Sequence, residues 1–237
     1  MAFWTHSLSA RTARGWTHEP ARRYTPAAMS TRALLRHWRL PLSLAVLLIL
    51  LQAAGWRQPL EYERSAVLQG QLWRLLTGNL VHLGWIHLGR DLAGLLLIWA
   101  LFGHSLKERS WLGVLLSSAL AVGLGLLLLD PGIGWYVGIS GVLFGMFCAG
   151  SLRQFPRHPL AGSAMLLGML LIIAWTLHAG ALPDETVDLG GAVVPQAHLY
   201  GAIGGAAFIL ARGVYRGRNA ARSQPQRHHP GSGVPPG

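Results

Sequence analysis

Two short stretches decide how this chain is read: GISGVLFG, from Gly138 to Gly145, and AHLYGAIGG, from Ala197 to Gly205. Each sets one chemically active side chain inside apolar sequence, Ser140 in the first and His198 in the second. Polar groups cost most in such surroundings and are rarely idle there. A serine and a histidine brought together form a hydrolytic dyad, because an imidazole can take the hydroxyl proton as the oxygen attacks.

The surrounding composition is that of a polytopic membrane protein. Of 237 residues, 51% are hydrophobic and 12% charged, with a positive mean hydropathy. An ordinary soluble domain carries about twice that share of charge. The formal net charge of +11 is spread over two tails and short loops instead of one amphipathic face. Membrane topology accounts for it, and no nucleic-acid partner is expected. The single cysteine, Cys148, excludes an intrachain disulfide and reads as packing within an apolar run.

Residues 1–39 are arginine-rich and lack apolar periodicity, which predicts a disordered cytoplasmic tail. Six apolar stretches follow, at about 40–56, 80–102, 111–129, 138–152, 159–179 and 194–213. They predict an all-α membrane domain over 40–213, and residues 214–237 predict a second basic tail, rich in Pro and Gly. The first stretch ends in Ala53-Ala54-Gly55, a string resembling a signal-peptidase site, but the long basic region before it argues for a retained span. Both tails, Lys107, Arg109, Arg153 and Arg157 fall on one side, and Asp130, Asp184, Glu185 and Asp188 on the other. The positive-inside tendency makes the basic side cytoplasmic, with both termini inside. Segment 57–79 mixes charges and, with Trp56 just before it and Trp73 within it, suits the membrane interface.

With six spans and both ends inside, spans 2, 4 and 6 run from the outer face inward. Ser140 and His198 both come early in their spans, so at 1.5 Å per residue each lies within about 10 Å of the outer boundary. Packing supplies a separate reason for them to meet. Gly141 and Gly145 form a small-xxx-small pair, as do Gly201 and Gly205, and such pairs let helix backbones touch. Gly138, ahead of Ser140, counts among the same packing glycines. His82, His87 and Asp91 lie in the outer half of span 2, where they could support an oxyanion formed when Ser140 attacks a carbonyl.

Taken singly, these residues have ordinary explanations. A membrane serine often bonds to its own helix backbone, and a membrane histidine often joins two helices. The i, i+5 spacing of His82 and His87 is poor for two metal ligands on one helix, and no metal is expected. The joint placement of the groups at one depth carries the weight. A transporter is disfavoured for the same reason, since its polar groups would line a path across the membrane.

In this order the motifs resemble those of the rhomboid intramembrane serine proteases, from about Gln71 to Gly205. Gln71-Leu72-Trp73-Arg74-Leu75-Leu76-Thr77 is similar to the family's entry segment, and His82 and His87 match its paired histidines. Gly138-Ile139-Ser140-Gly141 matches the nucleophile motif, and His198, Gly201 and Gly205 match the base helix. The resemblance implies a six-transmembrane-helix rhomboid-like bundle with Ser140 as nucleophile, His198 as general base and no acidic third member. It implies an oxyanion hole from the Ser140 backbone N–H and His87, no cofactor, and membrane-anchored protein substrates cut near the outer face. The compact size, the wording from Leu72 to Asn79 and Tyr136-Val137-Gly138 are most similar to the rhombosortase branch, which implies substrates with C-terminal Gly-Gly sorting tails. The alternative is a catalytically silent rhomboid-like protein that binds membrane clients for quality control. Two residues depart from the pattern: Asp91 replaces an asparagine, and Phe144 stands where a rhombosortase histidine is expected. Asp91 is expected to be held protonated by desolvation and to donate as asparagine does; the alternative is a charged group paired with His82, His87 or Arg90.

Overall fold

The computed structural model describes residues 31–180, 191 and 193–222. The tail segments 1–30 and 223–237, and Asp184, Glu185 and Asp188, lie outside the described residues.

Six long helices follow in chain order: α1 (Thr31–Ala53), α2 (Trp85–Phe102), α3 (Glu108–Leu128), α4 (Ser140–Gln154), α5 (Pro159–Ala179) and α6 (Pro195–Arg222). All but α4 contain a stretch long and apolar enough to cross a membrane, so the chain is a multi-pass helical membrane protein. Helix α1 begins inside the segment expected to be tail, and α6 continues past residue 213. Hydropathy marks the part of a helix that lipid covers, whereas backbone hydrogen bonding carries the helix on into the polar region.

Helix α4 is the exception that organises the rest. Its 15 residues span only about 22 Å at 1.5 Å per residue, against a hydrocarbon core of about 30 Å. Irregular backbone before its first turn is tolerated at membrane depth only where protein surrounds it. Accordingly most of the helix is buried, including Val142, Leu143, Met146, Cys148 and Ala149. Glycines set how closely its neighbours pack. A methyl group built on Gly201 would strike the Gly141 carbonyl, and one on Gly205 would strike that of Gly145. The Gly141 side of the contact is equally tight, with room for no Cβ beside the Ala197 carbonyl at 2.7 Å. Helix α3 closes the trio through Ser117, whose hydroxyl donates to the Gly204 carbonyl at 2.8 Å.

Segment 57–79 is built into the fold and does not simply lie in the interface. It forms three single helical turns, at Arg57–Leu60, Arg64–Leu68 and Arg74–Thr77, around strand β1 (Tyr62–Glu63). That strand pairs antiparallel with β2 (Trp135–Tyr136), Tyr62 opposite Tyr136. The buried Arg74 guanidinium donates to the Gln58 carbonyl at 3.0 Å, the Glu61 carbonyl at 2.7 Å and Gln71 Oε1 at 2.7 Å. Arg64 donates to the Leu127 carbonyl at 2.6 Å, capping the end of α3, where free carbonyls favour a cation. The Gly138 amide then bonds the Gly78 carbonyl at 3.1 Å, so the segment holds the entry to α4.

The glycine contact is testable by size alone. Gly201→Ala and Gly205→Ala are each expected to destabilise by roughly 1–3 kcal/mol, the usual cost of overpacking. Gly168→Ala, on the helix α5, meets nothing within 4 Å and is expected to be neutral or mildly stabilising. Thermal unfolding in detergent micelles measures all three, and equal effects at Gly168 and Gly201 would remove the proposed contact.

Candidate active site

Ser140 is the first residue of α4, and the chain reaches it through Gly138, whose φ of +117° lies in the region that side chains avoid. A second constraint acts at the same glycine. A Cβ there would sit 2.8 Å from Cε1 and Nε2 of His87 and 3.7 Å from Asp91 Oδ2, so the missing side chain is what lets α2 bring its polar groups to the loop. The buried Tyr136 hydroxyl donates to the Gly138 carbonyl at 2.7 Å. Burial, with the Asp91 charge nearby, pushes that phenol well above its ordinary range, so it stays a donor.

From the first turn of α6, His198 places Nε2 3.1 Å from Ser140 Oγ. With the histidine proton on Nδ1, the serine hydroxyl donates to Nε2. The imidazole is buried and lies flat on the Phe144 ring, with centroids 4.3 Å apart and planes 13° from parallel. Its Nδ1 has no hydrogen-bond partner among the described residues. Stacking and burial therefore orient this ring, the task a carboxylate performs in a Ser-His-Asp triad. Phe144 was legible only as a departure from a family pattern; its position one turn after Ser140, on the same helix face, is the signal that places it against the histidine.

The structure corrects the position of His82. It precedes α2 in an extended segment, because Gly84, with φ of −173°, delays the start of the helix until Trp85. His87 and Asp91 lie one turn apart on α2. Asp91 Oδ2 sits 3.1 Å from His82 Nε2 and 3.5 Å from His87 Nε2, and the two imidazoles meet edge to face at 5.1 Å. The Leu83 amide donates to His87 Nδ1 at 3.5 Å, which leaves the His87 proton on Nε2.

Two cavities meet at Ser140. One, of about 260 Å³, is walled by His87, Asp91, Phe144 and His198, with Trp135 and Val194 at its edge. The other, of about 410 Å³, runs between α2, α4 and α5 past Ile98, Leu143, Phe147 and Met169. The serine hydroxyl thus stands where a chamber that carries His87, Asp91 and His198 on otherwise mostly apolar walls meets a second, more uniformly apolar one. That arrangement suits attack on a carbonyl whose flanking side chains are apolar.

Comparison with known proteins identifies the family. Residues 69–214 match the family model described as "Rhomboid domain". The chain is also 25% identical over 155 residues to YdcA, a candidate rhomboid protease of Bacillus subtilis (strain 168), covering 65% of this chain and 73% of the relative. A match over most of the chain, joined to a helical membrane bundle with its serine and histidine at one end, places the protein in the rhomboid family.

Proposed function

We propose that the protein is an intramembrane serine endopeptidase that cleaves membrane-anchored protein substrates near the outer face of a bacterial inner membrane. One observation carries the reading: the 3.1 Å approach of His198 Nε2 to Ser140 Oγ at a site enclosed by helices. As Ser140 Oγ attacks the scissile carbonyl carbon, its proton passes to His198 Nε2. The carbonyl oxygen becomes an oxyanion, met by the Ser140 backbone N–H at the positive end of α4 and by the His87 Nε2–H. His198 then gives its proton to the leaving amine, and an acyl ester on Ser140 remains. Water then attacks the ester carbonyl as His198 accepts its proton, and His198 returns that proton to Ser140 Oγ as the ester C–O bond breaks, releasing the carboxyl product and restoring the free hydroxyl.

In this scheme Asp91 is an acceptor, contrary to the protonated donor expected from sequence. His87 carries its proton on Nε2. His82 carries its proton on Nε2 as well, because that nitrogen faces the Asp91 carboxylate oxygen, an acceptor, at 3.1 Å. The His82 N–H donates to Asp91 Oδ2 at 3.1 Å, whereas His87 Nε2 lies 3.5 Å from the same oxygen, so the carboxylate positions the His87 ring while its N–H is left for the oxyanion.

The substrate reading follows from the two chambers. The cavity between α2, α4 and α5 receives side chains from a membrane segment, while the one that carries His87, Asp91 and His198 holds the reacting peptide. C-terminal Gly-Gly sorting tails, of the kind the rhombosortase branch processes, are the substrates we favour. Glycine weakens helix and leaves the carbonyl open to attack. Orientation follows the positive-inside tendency: Lys107, Arg109, Arg153 and Arg157 lie at the end of the bundle away from Ser140, which puts both termini in the cytoplasm.

A fluorophosphonate probe is expected to label Ser140 in the wild type and to leave Ser140→Ala unlabelled. His198→Ala is expected to label at least about a hundredfold more slowly, the usual contribution of a general base. Unaltered cleavage of a Gly-Gly-tailed membrane reporter by Ser140→Ala would end the serine-protease reading, and a wild type that neither labels nor cleaves would support a silent client-binding protein.

Asp91 is separable by substitution. Asp91→Leu is expected to lower kcat on the order of a hundredfold with KM little changed, comparable to losing one oxyanion donor. Asp91→Asn keeps an accepting oxygen and is expected to stay within about tenfold of wild type, because a neutral acceptor is weaker but present. An Asp91→Asn enzyme faster than wild type would return Asp91 to the donor role.

For orientation, a membrane-impermeant thiol reagent applied to intact cells is expected to modify Gly132→Cys and not Arg109→Cys. Native Cys148 is buried and stays silent. Reversed labelling would turn the bundle over and put the dyad in the cytoplasmic half.

A further inference from the structure

A second polar cavity, of about 270 Å³, lies at the end of the bundle opposite Ser140, and neither the dyad nor its supporting residues reach it. Four separate parts of the chain build it. The turn after α2 brings His104 and Ser105, the start of α3 brings Lys107 and Ser110, the end of α4 brings Arg153, and α6 brings Arg212. Among the described residues no carboxylate lines it; the nearest in sequence, Glu108, is taken by Arg39.

Three polar atoms there are buried without a hydrogen-bond partner among the described residues: Arg153 Nε, Ser105 Oγ and Ser110 Oγ. Ser110 is only 1% exposed. Unsatisfied buried polar groups are costly, and three in one cavity ask for a ligand. The positive-inside tendency explains why cations gather at this end but not why these atoms are enclosed. Arg109 and Arg157 obey the same tendency while standing exposed.

The chemistry selects the ligand. Guanidinium groups offer paired N–H donors matched to phosphate oxygens, hydroxyls add further donors, and the N-terminus of α3 contributes its positive end. A small neighbouring space of about 40 Å³, bounded by Leu106, Ile209 and Gly213, opens beside the same two arginines. It suits an apolar continuation of the ligand. Basic pockets between membrane helices bind lipid headgroups in this way. We infer that this cavity binds a phosphate group, most naturally the phosphodiester of an anionic lipid, and that the bound group ties α2, α3, α4 and α6 together at the end remote from the dyad.

The test uses the purified full chain in detergent, titrated with short-chain phosphatidylglycerol, short-chain phosphatidylcholine or inorganic phosphate, with binding read by native mass spectrometry and Tm. The wild type is expected to prefer phosphatidylglycerol over phosphatidylcholine. Arg153→Gln/Arg212→Gln is expected to weaken phosphatidylglycerol about tenfold or more, whereas Arg109→Gln/Arg157→Gln, with the same loss of charge, stays within about twofold. Ser110→Ala guards against a folding artefact. It removes an unpartnered hydroxyl, so Tm without phosphatidylglycerol is expected to hold or rise, while phosphatidylglycerol binding weakens severalfold. Displacement of the lipid by inorganic phosphate would identify free phosphate as a ligand of the same site, and failure to displace it would identify the lipid. Equal weakening in the two double variants, or no preference for phosphatidylglycerol together with no response to phosphate, would overturn the inference.

Discussion

The contact between α4 and α6 at Gly141, Gly145, Gly201 and Gly205 is the constraint on which the remaining geometry depends. Lipid offers helices no hydrophobic reason to associate, so close approach must come from van der Waals contact between small residues. Here the backbones touch so closely that the neighbouring carbonyls occupy the space a side chain would need. His198 and Ser140 are carried on those two helices beside the contact, and their 3.1 Å separation is inherited from it. A hydrogen bond between two side chains could not hold the helices at that distance by itself, since membrane hydrogen bonds contribute about 1 kcal/mol or less.

A short, enclosed α4 follows from the same constraint. Because most of it is buried among its neighbours, its short first turn is covered by protein, the condition under which irregular backbone is tolerated at membrane depth. The segment between α1 and α2 makes this possible. Its strand pairs with the residues leading to α4, and Arg74 and Arg64 satisfy carbonyls that would otherwise be orphaned. Two features beside Ser140 follow from helix packing. His198 is set by stacking on Phe144, with no hydrogen-bond partner for its Nδ1 among the described residues, and Asp91 lies between His82 and His87.

The two ends of the bundle have different electrostatic character. The Ser140 end holds one carboxylate between imidazoles, and the opposite end gathers Lys107, Arg153 and Arg212 around buried hydroxyls. Both arrangements use residues from helices distant in the chain. Both also depend on α4, whose first residue faces one cavity and whose Arg153 faces the other.

Hydropathy and length are local properties, and they were enough to locate six helices, the multi-pass architecture and the shared depth of Ser140 and His198. The i, i+4 spacing of the glycines was equally local, because it marks a helix face whatever that face meets. Other features depended on residues far apart in sequence. Helix ends at Thr31 and Arg222 were missed because backbone hydrogen bonding outlasts the apolar run. His82 was placed on a helix that Gly84 delays. The order within 57–79 rests on a strand partner more than seventy positions away. The Phe144 stack, the sharing of Asp91 and the cavity of Arg153 and Arg212 arise where separate helices converge. Sequence periodicity says which face a residue occupies, whereas only tertiary packing decides what stands opposite.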